Sequence, residues 1–125
     1  MIRGIGVDMV YIPRIARFQK EGQDAFFLHT FSEAERKYCE KQYDSAEHYA
    51  SRFAVKEAVF KALNPLGVNL DLRKIETRNR EDGSPYVVID EWLQEILRKA
   101  DVDVLHVSIT NEEEYAVAYA IAEKL

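Results

Sequence analysis

At 125 residues the chain is long enough for one hydrophobic core and too short for two, so 1–125 is expected to form a single domain. Its 47% hydrophobic and 31% charged residues are ordinary for a globular protein, and a net charge of −5 argues against broad nucleic-acid binding. One cysteine, Cys39, excludes an internal disulfide and a multi-cysteine metal site, while the lack of a leader pattern or an apolar run of about 18 residues predicts a cytoplasmic protein with no membrane segment.

Ile2 to Ile12 reads as a strand, with Ile5, Val7 and Met9 on one face and Gly4, Gly6 and Asp8 on the other. The two glycines leave a flat surface that another backbone or a ligand can approach. Pro13 opens a helix over Pro13 to Glu21, stopped by Gly22, with Arg14 and Arg17 sharing a basic face near Lys20. Ser32 to Glu35 is a capping box, predicting a helix from Glu33 to Lys41 with Cys39 half-buried on it.

Asp44 or Ser45 caps the next and most informative element, a helix over Ala46 to Leu63. Ala54, Ala58, Ala62, Val55 and Val59 fill one broad side, and Tyr49, Phe53 and Phe60 form a second apolar stripe. Arg52 and Lys56 share one narrow ridge between these sides; Glu57 and Lys61 share the other. A helix apolar on nearly all sides is buried, and charges carried inside must be paired or must face a ligand or metal. The plainer account of Glu57 and Lys61 is a surface ion pair at i, i+4.

Asn64-Pro65 ends this helix. Strands over Lys74 to Arg80 and Tyr86 to Ile89 are expected to join through Asp82-Gly83, and Asp90 to cap a helix over Glu91 to Lys99. Val104 to Thr110 alternates Leu105, Val107 and Ile109 with His106, Ser108 and Thr110. After a loop over Asn111 to Glu114, Tyr115, Val117, Tyr119 and Ile121 alternate with four alanines, whose face suits close packing against the alanine side of the Ala46–Leu63 helix.

Asp8 and Glu57 are hard oxygen ligands of the kind Mg²⁺ takes together with substrate phosphates. Lys61, one turn after Glu57, can meet a phosphate oxygen, and His106, Ser108 and Thr110 offer donors to a phosphorylated ligand. This set suits phosphoryl-group transfer, in which positioning and charge neutralisation dominate catalysis.

The segments GIGVDMV, RFAVKEAVFKAL and HVSIT, in this order and spacing, resemble the signature segments of the holo-acyl-carrier-protein synthases, the small stand-alone 4′-phosphopantetheinyl transferases. The resemblance covers essentially the whole chain; GIGxD alone is unspecific, whereas FAxKEAxxKA at this distance from it is highly specific. It implies an α+β fold of the 4′-phosphopantetheinyl transferase type, a mainly antiparallel sheet packed on a long central helix, and a homotrimer with active sites at subunit interfaces. It also implies transfer of the phosphopantetheine arm of coenzyme A to a serine of apo acyl carrier protein, in fatty-acid biosynthesis. By the same resemblance Asp8 and Glu57 bind Mg²⁺, with Mn²⁺ as an alternative, and Lys61 neutralises phosphate. Lys56 either fixes Glu57 or contacts a phosphate. Gly83, Pro85, His106, Ser108 and Thr110 border coenzyme A, and Arg14 and Arg17 dock the acidic carrier protein. The attacking serine needs a base, and a metal-bound water, or Asp8 acting through a water, is expected in that role.

Two positions depart from the family pattern. Asn111 stands where many relatives carry a second histidine, and Ser84 stands between Gly83 and Pro85 where many carry a basic residue, leaving Arg52 or Arg80 as substitutes. A catalytically weak module of the same fold, binding a carrier protein or a nucleotide, is the main alternative. A different metal-dependent phosphotransferase or hydrolase is the other, although no GxxxxGK[ST] motif supports it.

Overall fold

The computed structural model describes residues 1–125. Strand β1 (Ile2–Tyr11) leads into α1 (Ile12–Lys20), α2 (Asp24–Thr30), α3 (Glu33–Glu40) and α4 (Ser45–Leu63). Two single 3₁₀ turns then precede a small hairpin of β2 (Thr77–Asn79) and β3 (Pro85–Val87), followed by α5 (Glu91–Lys99), β4 (Val104–Glu112) and β5 (Tyr115–Glu123). The three long strands form an antiparallel sheet of order β1-β5-β4.

The 19-residue α4 lies across one face of this sheet, and small residues set how closely. Ala116, Ala118, Ala120 and Ala122 of β5 are fully buried, as are Ala54, Ala58 and Ala62 of α4. On β1, a methyl group at Gly4 or Gly6 would collide with the carbonyl of Ala62 or of Ala58. The glycines therefore serve a backbone-to-backbone approach between strand and helix. Helices α1 and α3 cover other sides of α4, which explains why it is apolar nearly all round.

Several boundaries differ from expectation. Helix α2 has no counterpart among the predicted elements; it forms because Phe26 and Phe27 join an aromatic cluster with Phe31, Tyr49 and Phe53. Helix α4 begins at Ser45 rather than Ala46, and of the two cap candidates it is Asp44 that accepts from the Glu47 N–H. Asn111 and Glu112 belong to β4, which pairs with β5 as far as Glu112 opposite Tyr115, leaving a two-residue turn at Glu113 and Glu114. Strands β2 and β3 are three residues each, since Leu72–Lys74 is a 3₁₀ turn. Cys39 is fully buried rather than half-buried, and burial pushes its thiol up to about 12, so it stays protonated and inert.

Candidate functional site

The alternation of β1 turns Asp8 towards the helix side, in line with Gly4 and Gly6. There it meets the open ridge of α4. Lys61 Nζ donates to Asp8 Oδ1 at 3.2 Å and to the Val7 carbonyl at 3.0 Å. Burial raises the Glu57 carboxyl above the ordinary carboxylate value, the Asp8 charge raises it further, and Lys61 opposes both. Asp8, Glu57 and Lys61 thus converge at the β1–α4 seam.

Half-buried carboxylates that repel one another mark a place where a cation is favoured. The donor set fits Mg²⁺: two hard oxygens from two elements, with no third His, Cys, Asp or Glu gathered beside them. The remaining coordination positions would fall to water and phosphate oxygens.

Lys56 has another place than the expected coenzyme contact. Its Nζ is wholly buried, 2.7 Å from Glu35 Oε1, and it donates to the carbonyls of Leu72 at 2.8 Å and Ile75 at 2.6 Å. An ammonium has three donors, and all three are used. No proton remains for a phosphate or for Glu57. Burial pulls its pKa down, with Glu35 acting against that pull. The signal that was available and missed is Glu35, read from the sequence only as a capping-box residue.

His106, Ser108 and Thr110 project from the exposed face of β4, opposite Ile121, Tyr119 and Val117 of β5, and these in turn lie opposite Ile5, Val7 and Met9 of β1. His106 Nε2 lies 2.8 Å from Glu123 Oε1 on that face. Asp8 and Glu57 lie on the α4 side. Within one chain the sheet separates these two sets of residues, and they do not converge.

Gly83 occupies the hairpin turn at φ +89°, a conformation that favours glycine, and Pro85 begins β3. Ser84 folds back on Asp82, donating from its hydroxyl at 2.6 Å and its N–H at 2.9 Å. Of the two substitute cations, Arg52 is buried, bonded to Asn79 Oδ1 at 2.7 Å and stacked on Tyr38. Arg80 is exposed on the hairpin, donates to the Pro85 carbonyl at 3.2 Å, and lies over the Tyr86 ring. Asn111 Nδ2 donates to Glu47 Oε1 at 2.8 Å and to Ser51 Oγ at 3.0 Å, tying the end of β4 to α4. Arg14 and Arg17 are exposed on α1.

Residues 4–120 match the family model of the 4′-phosphopantetheinyl transferase superfamily. A holo-[acyl-carrier-protein] synthase of Geobacter sp. (strain M21) is 35% identical over 125 residues, spanning 99% of this chain and 100% of its own. One from Thermodesulfovibrio yellowstonii is 39% identical over 121 residues, spanning 97% and 98%. Among solved structures, the holo-[acyl-carrier-protein] synthase of Neisseria meningitidis superposes with a TM-score of 0.86 at 27% identity, covering 99% of this chain and 100% of that one. The Bacillus anthracis synthase in complex with CoA (3′,5′-ADP) superposes with a TM-score of 0.76 at 30% identity, covering 100% and 99%.

Proposed function

The chain belongs to the 4′-phosphopantetheinyl transferase superfamily, and from that premise we propose that it transfers the 4′-phosphopantetheine group of coenzyme A to a serine of apo acyl carrier protein. The products are holo acyl carrier protein and adenosine 3′,5′-bisphosphate, a reaction that serves fatty-acid biosynthesis. The observation that carries this reading is the meeting of Asp8, Glu57 and Lys61 at the β1–α4 seam of a chain similar over its whole length to holo-acyl-carrier-protein synthases.

In the transfer, the serine oxygen bonds to the phosphorus bearing the pantetheine arm. The bond from that phosphorus to the bridging oxygen breaks, and the nucleotide leaves with the oxygen. The serine proton passes through a water to an Asp8 carboxylate oxygen. Lys61, whose side chain is half exposed, turns from Asp8 to the phosphates and offsets the charge gathering on the leaving oxygen. Asp8 and Glu57 would hold a magnesium ion, which supplies Lewis-acid polarisation of the phosphate oxygens; manganese shares the preference for hard oxygen ligands.

His106, Ser108 and Thr110, with Gly83 and Pro85, border the coenzyme nucleotide in this reading. Because the sheet separates the β4 stripe from Asp8 and Glu57 within one chain, a second copy supplies it. Ile5, Val7, Met9, Tyr11, Tyr115 and Tyr119 form a contiguous exposed apolar face beside the stripe, which supports a homotrimer with shared active sites. Arg14 and Arg17 face outwards to meet an acidic carrier protein, where opposite charge speeds encounter and sets register.

The test is intact mass spectrometry of an apo acyl carrier protein incubated with this chain and coenzyme A, with magnesium or with chelator. A gain of one phosphopantetheine mass only with metal is expected. No gain on any of several carrier proteins, from a folded oligomer, would leave a binding module in its place.

A further inference from the structure

Glu35 is 1% exposed, yet it takes three donors, and with Ser32 beside it a further link reaches the same segment of chain. Its Oε1 takes the Ser32 N–H at 2.9 Å and the Lys56 ammonium at 2.7 Å; its Oε2 takes the Thr77 N–H at 3.0 Å. The fourth link is indirect: the Ser32 hydroxyl that caps α3 donates to Glu76 Oε1 at 2.6 Å. Lys56 holds the Leu72 and Ile75 carbonyls with its other two protons. Every residue from Leu72 to Thr77 is thus bonded to this pair or lies between residues that are.

Thr77 starts β2, and the Val88 N–H donates to the Glu76 carbonyl at 2.9 Å, closing the base of the hairpin that bears Gly83, Ser84, Pro85 and Arg80. Above this base the hairpin is two three-residue strands, too little to hold an orientation alone. A buried ion pair adds little stability over packed apolar side chains of the same volume, so stability alone is a weak account of it. It supplies direction, because each bond ends on one named backbone atom.

We infer that Glu35 and Lys56 are positioning residues for coenzyme A: buried against α4, they fix the base of the β2–β3 hairpin and thereby the nucleotide-facing turn, without touching the coenzyme. The inference rests on the reading that this hairpin borders coenzyme A. It separates the two lysines of the KEAVFK segment by role. Lys61 acts on phosphate, and Lys56 acts through the hairpin.

The test replaces the pair together, Glu35→Leu with Lys56→Met, since either change alone strands a buried charge and risks the fold. In the folded double variant, amide exchange at Thr77, Arg80 and Val88 should quicken at least about tenfold while α4 and the β1-β5-β4 sheet keep their protection. The KM for coenzyme A, and the Kd for adenosine 3′,5′-bisphosphate by calorimetry, should rise about tenfold, with kcat within about twofold and the KM for carrier protein unmoved. Unchanged hairpin exchange, or faster exchange with unchanged coenzyme affinity, overturns the inference. So does a fall in kcat at constant KM, which would assign the pair to Glu57. If the unaltered chain itself neither binds coenzyme A nor transfers from it, the functional reading fails first and takes the inference with it.

Discussion

The two charged ridges of α4 are built alike and used differently. Each carries two charged residues four apart, and each lies between the same apolar stripes. On the ridge facing β1, Lys61 has a side chain 52% exposed, and the Glu57 carboxyl is left with a raised proton affinity beside Asp8. On the ridge facing α3, Lys56 is 0% exposed and every donor is paired. Charge left incompletely satisfied at an opening is available to a ligand; charge fully satisfied inside is not. Within a single helix, one ridge is left open to a ligand and the other is closed by its own partners.

Breaking the open ridge should cost the most activity. Glu57→Gln and Asp8→Asn should each lower phosphopantetheine transfer by about a thousandfold, the scale on which a preorganised charge contact acts. The mass-spectrometric time course measures this, and substantial transfer by either variant would remove these residues from the chemistry. The urea midpoint should move little, because neither group is needed to satisfy a buried partner.

The closed ridge should show the opposite balance. Lys56→Met leaves Glu35 as an unpaired carboxylate at 1% exposure and should cost about 3–5 kcal/mol in urea denaturation. Adding Glu35→Leu should recover part of that loss, since the uncompensated charge goes with it while the Ser32 and Thr77 N–H groups and the Leu72 and Ile75 carbonyls stay without their partners. A small single-variant effect would show that the pair is not closed to water.

A third change tests the seam that both ridges depend on. Gly6→Ala puts a methyl where the Ala58 carbonyl sits, so strand and helix must part, at a cost of about 1–3 kcal/mol. Because Asp8 is two residues on and points the same way, transfer should fall along with stability. A variant that keeps full activity would mean the seam is not what sets the spacing of Asp8 and Glu57.

How much of this was legible in the sequence depends on the kind of signal. Periodicity read the strand faces, the alanine seam and the α4 ridges, because burial on regular elements leaves a repeating pattern. It missed α2, whose 7 residues are too few to show a period and whose reason to exist is the Phe27–Tyr49 contact made elsewhere in the chain. Motif resemblance singled out Asp8, Glu57 and Lys61, and it left Lys56 between fixing Glu57 and contacting a phosphate. The partner that takes Lys56 inside, Glu35, is 21 residues upstream in a capping box that is complete without it. A local motif conceals a second, long-range use of the same carboxylate. Arg52 against Arg80 was likewise open, since exposure is a property of the fold and not of the residue.

The smallest expected effect concerns the sign of Glu57's contribution to stability. Its carboxyl is held above the ordinary value of 4.5 in the folded chain, so the fold binds that proton more tightly than the unfolded chain does. The associated stability is fully present below the unfolded value and is lost as the pH rises through the folded value. Near neutral pH, the metal-free protein therefore carries a partly desolvated charge next to Asp8. Glu57→Gln should raise its unfolding free energy in urea there, by about a few tenths of a kcal/mol once solvent screening is discounted. The gain should fade as the pH falls through the folded value of Glu57 and be gone below 4.5, where both side chains are neutral. Magnesium at saturating concentration should reverse the order at neutral pH, because a ligand of the folded state stabilises only the chain that still binds it. A variant more stable without metal, less stable with it, and inactive in both is what a functional carboxylate on the open ridge requires. A structural Glu57–Lys61 pair predicts the variant to be less stable at neutral pH with and without magnesium, the difference closing once Glu57 is protonated.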